Sequence, residues 1–140
     1  MREHLFAPLN SKGIVVVAIS YPGQDGARGD GDFENVQGLI QQALSRINQL
    51  YSIKDAIFVG RSLGSMVAVI AANKWHPRGL VLEGTSSALS DGIYSFMKSK
   101  WFLQPAILLP VKEIIKKDYS LSEGLTKLPN TKIAIFQGGQ

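Results

Sequence analysis

The chain has 140 residues, a formal net charge of +4 and 45% hydrophobic residues. This length allows at most one domain, and it is short for a one-domain α/β fold, which often needs roughly 200 to 250 residues. The chain contains no cysteine, which excludes disulfides and thiolate metal sites. No apolar run reaches the roughly 18 residues of a membrane span, and the N-terminus does not resemble a signal peptide, so we expect a soluble chain, with the cytoplasm favoured.

The N-terminal segment predicts a short helix followed by a strand. Residues 1–12 are mixed in composition, but Leu5, Phe6 and Leu9 fit one face of a helix. Residues 14–19 form an apolar, largely β-branched run. Such a run is typical of a strand that is buried on both faces of a parallel sheet.

A glycine-rich loop and a second helix come next. The loop at 22–32 lacks the Gly-Lys-Ser/Thr ending of a phosphate cradle and the glycine spacing of a calcium loop. We therefore interpret it as the loop after a parallel strand, with Asp32 as the N-cap of the following helix. Residues 33–50 predict an amphipathic helix because their apolar positions step by three and four. These positions are Phe33, Val36, Ile40, Ala43, Ile47 and Leu50.

The remaining regular elements alternate between strands and helices. The run at 56–59 predicts a buried strand, and the helix-like run at 65–72 is followed by Pro77, which ends a helix. Further short strands are predicted at 80–82 and 132–137. This alternation is the signature of a doubly wound, mostly parallel sheet with helices on both faces.

Residues 86–129 carry no clear strand and are rich in aromatic and aliphatic side chains. Such an insertion could lie over a site as a helical cap, or it could be an ordinary helix pair that packs at the edge of the sheet. The segment also holds a group of lysines, for which a solvated face is favoured over a patch for anionic lipid or nucleic acid. These are Lys98, Lys100, Lys112, Lys116 and Lys117.

The motif between the strand at 56–59 and the next helix is Gly60, Arg61, Ser62, Leu63 and Gly64. Strand, G-x-S-x-G and helix in this order predict a nucleophile elbow. A serine on so sharp a corner needs unusual backbone angles, and only glycine fits two residues before and after it. The Ser62 hydroxyl would then lie at the positive end of the helix, where the Leu63 N–H could hold an oxyanion. The alternative is that the glycines only form a tight turn.

Together with residues 19–23, 80–85 and 133–138, this motif resembles the α/β-hydrolase superfamily. It is most similar to the abhydrolase-domain serine hydrolases, whose elbow often reads G-R-S-L-G. The resemblance implies a partial α/β-hydrolase fold over residues 1–140, with 86–129 as a cap-like insertion.

The resemblance also implies that the chain is truncated at both ends. A further strand would precede residue 1 and would lie between the strand at 14–19 and the elbow strand, and the loop after it would give a second oxyanion donor. Since its absence would leave a central gap in the sheet, we expect this chain alone to be poorly stable or to self-associate.

A serine nucleophile needs a histidine base, which a carboxylate orients. The resemblance puts both the acid and the histidine beyond Gln140. His76 follows Ser62 by fourteen residues along a helix, which puts it about 21 Å away and too far to act as the base. His4 precedes every predicted strand, and we expect it on the surface near the terminus. Glu83, at the end of the strand beside the elbow strand, is the only acid in a credible triad position.

The sequence therefore favours a serine hydrolase that acts on an ester, thioester or amide, with Ser62 as nucleophile and with turnover near background in this chain. The alternative is a non-catalytic fragment or binding module with a hydrolase-like fold. A flavodoxin-like or nucleotide-binding domain fits less well because the glycine spacing is wrong for a dinucleotide fingerprint. We expect a small-molecule acyl substrate and no cofactor, metal or nucleic acid.

Overall fold

The computed structural model describes residues 3–21, 26–27, 33–88, 90–94 and 118–138. Most of the predicted loop at 22–32, including Asp32, and residues 95–117 of the predicted insertion lie outside these ranges. The chain divides into two units, Met1–Ala43 and Leu44–Gln140, and the division falls within the helix Phe33–Leu50.

The first unit begins with helix α1 (Glu3–Asn10), as the apolar spacing predicts. The Ser11 N–H donates to the Ala7 carbonyl over 3.0 Å, and the Gly13 N–H donates to the Asn10 carbonyl over 2.9 Å. Gly13 has a φ of +74°, a conformation that glycine adopts without strain at the end of a helix. These bonds end the helix before the β-branched run.

Residues 14–20 depart from the sequence-based prediction. They have no regular secondary structure, and Val15 and Val17 are 59% and 50% exposed. The prediction of a buried strand at 14–19 is therefore wrong. A β-branched run becomes a strand only where a neighbouring strand takes up its backbone groups, and no strand of the described residues pairs with this one.

Helix α2 (Phe33–Leu50) has the bounds that its apolar spacing predicts. Val36, Ile40 and Leu44 are buried along one face of it, as a step of four residues requires. Leu50, which was predicted to belong to that face, is exposed because it lies at the very end of the helix.

The second unit contains a three-stranded parallel sheet, which confirms the α/β prediction. Its strands are hydrogen-bonded in the order β1 (Ile57–Arg61), β2 (Gly79–Glu83) and β3 (Lys132–Phe136). In the register of the sheet, Arg61 lies beside Glu83 and Glu83 lies beside Phe136. The carboxyl ends of all three strands are therefore level.

Helix α3 (Leu63–Trp75) packs on β1 and β2 and ends two residues before Pro77, as predicted. The C-cap residue that follows the helix, His76, has a φ of 48°, and its N–H donates to the Ala72 carbonyl over 2.8 Å. The helix is buried around most of its circumference. Its buried residues are Ser65, Met66, Val67, Ala68, Val69, Ala71 and Ala72.

The two faces of the sheet differ in burial. Leu80 and Leu82 of β2 are fully buried and form the centre of the core with α3, and each contributes about 1.5–3 kcal/mol of hydrophobic free energy. Side chains alternate between the faces of a strand, so Ile57 and Val59 of β1 lie on the other face. Val59 is 73% exposed there.

Between β2 and β3, the described residues form a short helix, α4 (Leu121–Thr126), and the two ends of the inserted segment. These ends are joined by an antiparallel bridge between Ala88 and Ser120 and by the Ser90 hydroxyl, which donates to the Asp118 carboxylate over 2.7 Å. The two ends of the predicted insertion 86–129 therefore lie side by side. Its role as a cap stays a prediction because residues 95–117 lie outside the described ranges.

Candidate active site at the β1–α3 corner

Ser62 forms the corner between β1 and α3. Its backbone has a φ of 52° and a ψ of −124°, a region that residues other than glycine rarely occupy. Such a conformation costs on the order of 1–3 kcal/mol and persists only where the surroundings enforce it. The predicted strained serine corner therefore exists in the structure.

The close approach of α3 to β1 explains the first glycine of the motif. A Cβ atom at Gly60 would lie 2.6 Å from the Cα of Ser65 and would also collide with the Gly64 carbonyl. These are backbone atoms, so no side-chain rotation could relieve the collision. Only glycine allows the first turn of α3 to lie this close to the end of β1.

Hydrogen bonds tie the corner to the end of β2. The Ser62 N–H donates to the Glu83 carbonyl over 2.9 Å, and the Ser65 N–H donates to the Ser62 carbonyl over 2.9 Å. The side chain of Ser65 is buried and reaches the same strand end. The sequence does not identify Ser65 as a functional residue, because a serine within a helix-forming run has no distinctive pattern.

The Ser62 hydroxyl is exposed and has no hydrogen-bond partner among the described residues. A serine at the N-cap normally accepts a hydrogen bond from the first turn of its helix, but Ser62 does not. Within the same ranges, the Leu63 N–H also has no acceptor. Among the described residues, a hydroxyl and a backbone N–H that both lack a hydrogen-bond partner therefore lie beside each other at the positive end of a helix dipole.

The side chains of Arg61 and Glu83 flank the corner. The Arg61 Nε lies 3.6 Å from a carboxylate oxygen of Glu83, and both side chains are more than half exposed. An exposed pair of this kind contributes little to stability. The Glu83 carboxylate, the predicted candidate acid, therefore pairs with the Arg61 guanidinium rather than with a histidine.

The two histidines belong to α1 and to the end of α3. His76 is at the C-terminal end of α3, with the whole helix between it and Ser62, which agrees with the separation of about 21 Å expected from helix geometry. His4 lies in α1, in the first unit. The described residues therefore bring no imidazole from α3 to the Ser62 hydroxyl.

A further contact at the carboxyl edge joins β2 and β3 beyond their ends. The side-chain amide of Gln137 accepts from the Thr85 N–H over 3.2 Å and donates to the Thr85 carbonyl over 3.3 Å. In addition, the Gly84 N–H donates to the Phe136 carbonyl over 2.9 Å. The loop after β2 is thus held at the same edge of the sheet as Ser62.

The sequence profile of the alpha/beta hydrolase family matches residues 2–130. The chain belongs to the alpha/beta hydrolase family. No curated protein and no solved structure matches the chain significantly. Membership confirms the resemblance and the α/β fold class, and the role of Ser62 as nucleophile stays a prediction.

Across the described ranges, no three His, Asp or Glu side chains lie close enough to bind a metal ion together. No helix in that part of the chain is long and apolar enough to cross a membrane.

Proposed function

We propose that Ser62 is the nucleophile of a serine hydrolase site that acts on an ester, thioester or amide. The observation that carries this proposal is the positive φ of Ser62, whose hydroxyl lacks a hydrogen-bond partner among the described residues and lies beside the Leu63 N–H, which also lacks an acceptor there. Most serines at helix N-termini use their hydroxyl to cap the helix. Here the backbone is strained in a way that leaves the hydroxyl outside the helix and available to a substrate.

The chemistry follows from these two groups. The Ser62 oxygen attacks the substrate carbonyl carbon, its proton passes to a base, and the negative charge on the carbonyl oxygen is held by the Leu63 N–H and the α3 dipole. The bond to the leaving group then breaks and the proton goes to that group. Water hydrolyses the acyl-serine in a second, equivalent step.

We expect turnover near background from the 140-residue chain itself. Among the described residues, α3 brings no imidazole to Ser62 and the Glu83 carboxylate pairs with Arg61, and a serine site without its triad partners keeps only about 10³–10⁴-fold catalysis over water. The proposal therefore concerns the reactivity of Ser62 rather than rapid catalysis.

The decisive test is the labelling of the folded chain by a fluorophosphonate, measured by intact mass, with free imidazole as an added base. We expect the labelling rate to rise with the concentration of neutral imidazole and the label to lie on Ser62. Ser62→Ala should abolish it. Ser120→Ala is the matched control, because Ser120 is also an N-cap serine but its hydroxyl accepts from the Glu123 N–H.

The second candidate is a non-catalytic binding module with a hydrolase-like fold. It is favoured by the pairing of Glu83 with Arg61 and by the position of His76 at the far end of α3. A folded chain that imidazole does not make reactive, or whose label persists in Ser62→Ala, would contradict the hydrolase proposal and favour this candidate.

A further inference from the structure

Ser65 has a buried hydroxyl that the proposed chemistry does not use. The residue is 1% exposed, and its single Oγ–H is shared between the Gly60 carbonyl at 3.0 Å and the Glu83 carbonyl at 3.3 Å. A side chain in the first turn of a helix more often faces solvent, where its polar group is hydrated. Here the hydroxyl is turned inward, between the ends of two strands.

The two acceptors are the groups that define the corner. Gly60 lies two residues before Ser62 in β1, and Glu83 is the last residue of β2. The Glu83 carbonyl also accepts from the Ser62 N–H over 2.9 Å, while the Ser65 N–H donates to the Ser62 carbonyl over 2.9 Å. Both the N–H and the carbonyl of Ser62 are therefore hydrogen-bonded. Ser65 donates to the Ser62 carbonyl and shares the Glu83 carbonyl with the Ser62 N–H.

Packing alone does not account for a serine at this place. The other small buried residues of α3 are alanines, at positions 68, 71 and 72, and alanine buries no polar group and favours a helix. A buried hydroxyl is costly unless it is hydrogen-bonded. The hydroxyl of Ser65 meets that condition only because the two strand-end carbonyls converge on it.

We propose that Ser65 is a positioning residue for the nucleophile. Its hydroxyl fixes the first turn of α3 to the ends of β1 and β2, and in this way it maintains the positive φ of Ser62 and the direction of the Leu63 N–H. The inference rests on the proposed function only in naming Ser62 the nucleophile. Its geometric part, that Ser65 holds the Ser62 backbone in place, can be tested separately.

The experiment compares Ser65→Ala with Ser90→Ala. Ser90 is the matched control because it is 3% exposed and its hydroxyl is also hydrogen-bonded, but to Asp118 outside the corner. The readout is amide hydrogen exchange, resolved by residue with NMR, of the Ser62 N–H relative to the Val69 N–H within α3. We expect Ser65→Ala to speed exchange at Ser62 by about tenfold relative to Val69, and Ser90→Ala to leave the ratio unchanged.

A third variant, Ser65→Cys, separates hydrogen bonding from packing. A thiol fills the space but is a weak donor, so we expect the Ser62-to-Val69 exchange ratio of Ser65→Cys to resemble that of Ser65→Ala. This variant also decides the question if Ser65→Ala does not fold. A cysteine variant with the wild-type ratio, or equal acceleration at Ser62 and Val69, would overturn the inference.

Labelling with fluorophosphonate and imidazole then distinguishes the two proposals. If Ser62 is the nucleophile, Ser65→Ala should slow its labelling by about tenfold, while Ser90→Ala should not. If wild-type Ser62 is never labelled but the exchange ratio responds as expected, the proposed nucleophile fails and the positioning role of Ser65 stands. If labelling occurs but the exchange ratio does not respond, the positioning role fails alone.

Discussion

At the scale of single residues, the geometry of the β1–α3 corner depends on the absence of a side chain at one position as well as on hydrogen bonds made at others. Gly60 contributes no side chain, and this lets the first turn of α3 approach the end of β1 within the reach of one Ser65 hydrogen bond. Ser62 is strained, and it leaves its hydroxyl and the next N–H unused. The site is therefore defined mainly by backbone geometry.

Gly60→Ala should lower the free energy of unfolding by about 1–3 kcal/mol, because the new methyl group would overlap backbone atoms of α3. It should also abolish labelling of Ser62. Gly38→Ala is the control: no atom lies within 4 Å of a Cβ at that position in α2, so alanine there should raise stability by about 0.5–1 kcal/mol. Urea unfolding measures both, and a Gly60→Ala variant as stable as the wild type would contradict the close approach.

Tyr21 gives the one pH dependence that the described residues support. Burial raises the pKa of the Tyr21 phenol above its usual value, because desolvation disfavours the phenolate. The folded state therefore holds this proton more tightly than the unfolded state. The resulting stability is complete below the unfolded pKa and is lost as the pH rises through the folded pKa. Tyr21→Phe should reduce the loss of stability at alkaline pH in urea titrations, and an unchanged alkaline loss would contradict this.

At the scale of elements, helices could be predicted from local features of the sequence, such as apolar spacing or a motif. A strand could not be predicted reliably where its formation depends on a neighbouring strand. The bounds of α2 follow from its apolar spacing, and α3 follows from the elbow motif and Pro77. The run at 14–19 has the composition of a strand, but it forms none because composition cannot supply a neighbouring strand. Ser65 and Gln137 were missed for a related reason, since they act on groups 18 and 52 residues away in the chain.

The exposure of residues 14–20 can be tested by charge. Val17→Lys should change the free energy of unfolding by less than about 0.5 kcal/mol, because the side chain is already half in water. Val67→Lys is the comparison, since this valine is buried in α3 and a lysine there should cost on the order of 4 kcal/mol or more. A severe loss in Val17→Lys would restore the prediction of a buried strand.

At the scale of the whole molecule, the sheet of the second unit is covered unevenly. α3 packs on the face that contains Leu80 and Leu82, while Ile57, Val59 and Phe136 on the other face are largely exposed. Parallel sheets are normally covered on both faces, and a patch of exposed apolar side chains favours association. This exposed apolar face therefore favours association between copies of the chain.

We predict that the 140-residue chain associates as its concentration rises, which sedimentation velocity can measure. Val59→Lys should weaken the association, because it adds a charge to the exposed apolar face. Ser45→Lys adds the same charge to an exposed polar position of α2 and should not. A monomer at all concentrations with a sharp two-state melt would contradict this prediction.

If Ser62 is the nucleophile, as proposed, the level ends of the three strands bear on substrate choice. At the carboxyl edge of the sheet, the register aligns a cation, an anion and an aromatic residue in one row: Arg61, Glu83 and Phe136. Arg61 and Glu83 form an ion pair, so their charges largely cancel at a distance, whereas the N-terminus of α3 keeps its positive potential. An acyl group that carries its own charge would gain little from this row. Selectivity between charged substrates would then have to come from groups farther from Ser62.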